Sequence, residues 1–188
     1  MRRRVQMIFQ DPYNSLDPTF TIGRAVAEPL RIHFGMNRTD RERKAVALLE
    51  RVGLGAYHAA RRPKQLSGGQ LQRVAIARAL AVEPKLLICD EPVAALDVSI
   101  RAEVLNLMRD LRETSDIAYV FITHDLSTVR VIADDILVMR NGVVVQQGSC
   151  AAVFTAPRHD YTRELLAAVP TFHGATIASG MPGERASR

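Results

Sequence analysis

Leu66-Ser67-Gly68-Gly69-Gln70 runs on as Leu71-Gln72-Arg73-Val74-Ala75-Ile76-Ala77-Arg78-Ala79-Leu80, and soon afterwards comes Lys85-Leu86-Leu87-Ile88-Cys89-Asp90-Glu91-Pro92. The first stretch opens a helix. Ser67 stands where an N-cap hydroxyl is wanted, and the paired glycines let the backbone come close to an anion at the positive end of the helix dipole. The second stretch is a short apolar strand that ends in two carboxylates, at the end of a strand where open α/β sheets bind ligands. Helix followed by strand repeats on both sides, which implies an α/β fold with a parallel sheet covered by helices on both faces.

Working outward, Val5 to Phe9 reads as an apolar strand, and Asp11-Pro12-Tyr13-Asn14-Ser15-Leu16-Asp17-Pro18 as a loop rich in turn formers. Thr39 and Glu42 have capping-box spacing ahead of Val46, Leu49 and Val52, and Gly53 stops that helix. Ile117 to Thr123 and Asp135 to Arg140 read as further strands. Helices are expected over 70–81, 99–114 and 126–133. Asn141-Gly142 between two apolar runs predicts a hairpin with a type I′ turn.

The chain of 188 residues, 47% hydrophobic, has material for one core. No apolar run approaches the roughly eighteen residues of a membrane-spanning helix. Cys89 and Cys150 form no Cys-x-x-Cys pair, which argues against structural zinc or a disulfide framework. The net charge of +5 is scattered among acids, and aromatics are only 5% with no Trp, so nucleic acid is not an expected partner.

The run from Leu66 to Leu80 resembles the signature motif of ATP-binding cassette (ABC) ATPases, and Leu86 to Pro92 resembles their Walker B strand. Gln10 resembles the Q-loop glutamine, Ala95-Leu96-Asp97 the D-loop, and Thr123-His124-Asp125 the segment of the switch histidine, all in the order of that family. The stretch from Val5 to Pro18 and the tail from Pro157 to Pro170 look like the branch that imports dipeptides, oligopeptides, nickel and glutathione. The resemblance implies a P-loop NTPase-like fold, a parallel sheet flanked by helices with a helical subdomain over about 20–83. The nucleotide-binding domain would span 1–148, an importer-type extension 149–173 and a flexible tail 174–188.

It also implies ATP and Mg²⁺ as cofactors. Asp90 and Gln10 would hold the metal, Glu91 would polarise the attacking water, and His124 would bond the γ-phosphate. Ser67, Gly68, Gly69, Gln70 and Asp97 would reach nucleotide across a head-to-tail dimer with a second ABC ATPase subunit. Permease subunits, and indirectly a solute-binding protein, would be the other partners, at the cytoplasmic face of the membrane. His33, His58, His159 and His173 occupy no motif position.

The sequence departs from the family chiefly at one point, with smaller departures at Val93-Ala94 after Pro92 and at Asp160, where the branch usually has Pro. Gly-x-x-x-x-Gly-Lys-Ser/Thr is absent, since the three lysines Lys44, Lys64 and Lys85 follow Arg43, Pro63 and Pro84. Two expectations follow: a transport ATPase fragment, N-terminally truncated so that it lacks the phosphate-binding loop and inactive by itself, or a non-enzymatic remnant or accessory subunit that presents its signature motif to an intact partner. A cassette ATPase of DNA repair or chromosome structure would need long heptads or cysteine pairs, and this sequence has neither.

Overall fold

The computed structural model describes residues 3–168. The expected tail 174–188 and the last residues of the expected extension, 169–173, lie outside them. Strand β1 (Val5–Ile8) leads through the turn-rich loop to α1 (Ile22–Phe34) and α2 (Arg38–Arg51). Two 3₁₀ turns, Ala56–Ala60 and Pro63–Gln65, then precede α3 (Gly68–Leu80). Next come β2 (Leu86–Asp90), α4 (Val98–Thr114), β3 (Ala118–Ile122) and α5 (Leu126–Ile132). The hairpin β4 (Asp135–Arg140) and β5 (Val143–Ser149) is followed by α6 (Cys150–Thr155) and α7 (Asp160–Ala167).

Strands β1, β2 and β3 form a parallel sheet in that order, with Ile8 opposite Cys89 and Asp90 opposite Ile122. β4 and β5 form a separate antiparallel pair, and its turn residues Asn141 and Gly142 take φ of 51° and 79°, the left-handed values a type I′ turn requires. The α2 cap differs from the expected one. Asn37, not Thr39, caps the helix and accepts from the Asp40 N–H at 3.0 Å, while Glu42 pairs with Arg38. The helix therefore starts ahead of Thr39, whose backbone is already inside it.

Because side chains alternate across a strand, the sheet has two unlike faces. Ile8, Leu87 and Cys89 point into the core and are buried. With α1 to α4 they build one contiguous apolar cluster, against which Tyr119 and Phe121 pack. The opposite face carries Val5, Met7, Val120 and Ile122, all exposed, with Leu86 and Ile88 half-buried between them. Cover on both faces was expected, yet among the described residues the sheet is covered on one.

Cys89 belongs to the buried face, and burial, which disfavours the thiolate, pushes its pKa up to about 12. Cys150 is partly exposed. Iodoacetamide at pH 8 is therefore expected to alkylate Cys150 and spare Cys89 until the chain is unfolded in guanidinium. Peptide mapping checks this, and equal labelling of both thiols in the folded chain would contradict it.

Candidate functional site

Asp90 ends β2, and the chain leaves the sheet through Glu91. Glu91 has φ of 48°, in the left-handed region that a non-glycine residue rarely enters, and its N–H donates to the Ile122 carbonyl at 2.9 Å. Such strain costs on the order of 1–3 kcal/mol and collects at functional sites. Here it accompanies a specific contact. The His124 imidazole, just beyond β3, places Nδ1 2.6 Å from Glu91 Oε1. An ionised carboxylate only accepts, so Nδ1–H donates, and Nε2 of the largely exposed ring is left free to meet a ligand. Glu91 Oε2 is buried and has no hydrogen-bond partner among the described residues.

Gln10 lies beyond the end of β1 and shares with Asp90 a cleft of about 790 Å³ lined also by Asn14, Ser15 and Arg78. The ends of adjacent parallel strands thus bring Gln10, Asp90, Glu91 and His124 to one edge of the sheet.

The start of α3 is a closed capping box. Gln70 N–H donates to Ser67 Oγ at 3.3 Å, and Ser67 N–H donates to Gln70 Oε1 at 3.0 Å. Gly68 and Gly69, in the first turn, have no intrahelical acceptor for their N–H groups. The two glycines are not alike, however. Gly68 is exposed, whereas Gly69 is buried, and a Cβ there would lie 2.3 Å from Ile100 Cγ2. The expectation that both leave their backbone uncovered holds for Gly68 only. Gly69 is needed so that α3 can approach α4.

Asp97 has a structural task that the motif reading missed. It caps α4, accepting from the Ile100 N–H and the Ser99 hydroxyl, each at 3.0 Å, and these bonds hold its carboxyl below the usual range. The sequence carried that signal, since Asp97 stands directly before a helical run. Arg101 was also missed. It donates to Asp125 Oδ2 at 2.8 Å and to the Leu96 carbonyl at 3.2 Å, clamping the turn before Asp97 to the segment that holds His124. Burial pulls the Asp125 carboxyl upward, but hydrogen bonds from Ser127 and Thr128 outweigh it and hold the group below its ordinary value.

Comparison with known proteins bears on the family and the fold. The profile described as ABC transporter matches residues 1–94, half of the chain. The glutathione import ATP-binding protein GsiA of Salmonella typhimurium is 54% identical over 171 residues, 90% of this chain and 27% of that protein. Its Escherichia coli K12 counterpart is 53% identical over 170 residues. The chain therefore spans about a quarter of the length of these curated relatives. Among solved structures, cbiO1 of Clostridium perfringens, described as part of the ABC transporter complex cbiONQ, superposes with a TM-score of 0.74 at 30% identity, over 82% of this chain and 60% of that one. The ATP-binding cassette MJ0796, solved as a dimer with ADP and phosphate, gives 0.67 at 33% identity, over 79% of this chain and 64% of that one. Motif order, a parallel sheet with its carboxylates at the strand ends, and the profile match over half the sequence together place this chain in the ABC transporter family.

Proposed function

We propose that this chain supplies part of the ATP-hydrolysing subunit of an importer of the peptide type, with a glutathione-like peptide as the solute. The observation that carries the reading is the Glu91–His124 contact at 2.6 Å beside Asp90, at the ends of neighbouring parallel strands. The identity to glutathione import ATP-binding proteins supports the choice of solute.

The residues present fit the proposed cofactors. One carboxylate, Asp90, and one amide, Gln10, face the same cleft, a sparse protein donor set that suits a Mg²⁺ completed by water and phosphate oxygens. When bound, Mg²⁺ and ATP supply an electrophilic γ-phosphorus with its charge neutralised. Glu91 then orients and polarises water, and His124 fixes the Glu91 carboxylate while its Nε2 reaches toward phosphate. Ser67 and Gly68 face the nucleotide held by a second ABC ATPase subunit in a head-to-tail dimer, and Gly69, Gln70 and Asp97 hold that face in shape. The 188 residues contain no phosphate-binding loop, and on this reading Glu91 and His124 act on nucleotide only where such a loop is supplied from outside them.

On the same reading the domain runs over 1–148, with α1 to α3 as its helical subdomain, and permease subunits dock it at the cytoplasmic face. No helix among the described residues is long and apolar enough to cross a membrane.

The test is assembly. Mixed with an intact ABC ATPase subunit whose own catalytic glutamate is replaced by glutamine, the chain should form a one-to-one dimer in Mg-ATP that dissociates when ATP is removed. Analytical ultracentrifugation reads this directly, and an association indifferent to ATP would sink the proposal.

A further inference from the structure

Gln70 has an amide with two distinguishable ends, and both are committed. Its Oε1 accepts the Ser67 N–H at 3.0 Å, so its Nε2 points the other way and lies 3.5 Å from Nε2 of His58. His58 is only 3% exposed, although it belongs to no motif. Its Nδ1 is 3.0 Å from the Gly55 carbonyl, and the Tyr57 ring covers it at a centroid distance of 4.1 Å.

Donor and acceptor roles then follow without a free choice. A carbonyl oxygen can only accept, so Nδ1 carries the proton, and Nε2 presents a lone pair that accepts from the Gln70 amide. The chain of bonds runs from the Gly55 carbonyl through His58 and Gln70 to the Ser67 backbone. Turning the amide over would set Nε2–H₂ against the Ser67 N–H and Oε1 against the His58 lone pair, losing both bonds at once. With the amide fixed, Ser67 Oγ acts as the acceptor for Gln70 N–H, and the hydroxyl proton of this exposed residue remains to donate outward.

We propose that His58 is a positioning residue for the signature face. By accepting from Gln70 it locks the amide orientation that closes the first turn of α3, and so aims the Ser67 hydroxyl and the Gly68 N–H at phosphate. The inference rests on the proposed function, because the phosphate belongs to nucleotide on the partner subunit.

The experiment uses the mixed dimer with an intact ABC ATPase subunit and reads steady-state hydrolysis of Mg-ATP. His58→Leu has a similar volume but no acceptor, and is expected to lower kcat about fivefold to tenfold, the scale of a lost cap at a charged ligand. His58→Gln restores an acceptor at the same reach and should recover the rate to within about twofold. In a Gln70→Ala background His58→Leu should add nothing, since the path runs through that amide; a role in packing alone would persist there.

A wild-type rate for His58→Leu, or a full additional loss in the Gln70→Ala background, overturns the proposal. Should His58→Leu fail to fold, ¹⁵N spectra of the unmodified chain in the dimer decide the matter: a proton on Nδ1 is expected, and one on Nε2 overturns it. Ser67→Arg serves as the control. If it too leaves hydrolysis intact, the functional reading fails; if it abolishes hydrolysis while His58→Leu does not, only the positioning role falls.

Discussion

Ser67→Arg in a mixed dimer with an intact ABC ATPase subunit is expected to reduce the ATPase rate by at least about 100-fold, the scale on which losing preorganised donors to a developing charge acts. Ser67 is exposed at the start of α3, with its hydroxyl oxygen tied to the Gln70 N–H. Replacing it by arginine removes the outward hydroxyl proton and the cap, and places a long side chain where phosphate has to approach. Losing the cap alone costs about 1 kcal/mol, enough to weaken the helix start but not to unfold the chain. Ser67→Ala separates the two effects. It opens the cap and removes the donor without adding bulk, so an intermediate loss of roughly tenfold is expected. A steady-state assay with this chain in excess over the partner, and the partner's own rate subtracted, checks both, and a near-normal rate for Ser67→Arg would mean that α3 does not face nucleotide at all.

The parts of this site that could be read from the sequence are those whose partners are near in the chain. Ser67 and Gln70 are three residues apart and cap one helix, so their geometry follows from local spacing. The apolar run before Asp90 and the Asn141-Gly142 turn likewise depend on neighbours. Arg101 and Asp125 are separated by 24 positions, and His58 and Gln70 by 12, so only the fold brings them together. The cap of α2 failed for a different reason. Asn37 and Thr39 both have suitable side chains, and the choice went to Asn37, whose carbonyl oxygen accepts from Asp40 N–H while its amide donates to the Asp40 carboxylate. Asp97 shows the converse error, in which a motif reading concealed a cap that the local sequence already offered.

Which face of the sheet stands open was beyond sequence reading, because residues on the two sides of the strands are equally apolar. Val120 and Ile122 differ from the half-buried Phe121 between them only in which way the strand turns them. Exposure of 36% at Val5, 39% at Met7, 48% at Val120 and 49% at Ile122 leaves a continuous apolar surface across three strands. Monomeric soluble proteins seldom expose such contiguous patches. A polypeptide of residues 1–188 prepared alone is therefore expected to self-associate in the micromolar range, where uncovered apolar surface and free strand edges drive aggregation. The double variant Val120→Thr with Ile122→Thr keeps β-branched side chains in β3 but removes about 1 kcal/mol of burial at each position, and should raise the concentration needed for association about thirtyfold. Sedimentation velocity over a concentration series measures the shift. The face at fault is then identified by contrast: Val143→Thr on the exposed hairpin strand β5 should leave the midpoint where it was, and an equal shift from that substitution would move the sticky surface from the parallel sheet to the hairpin.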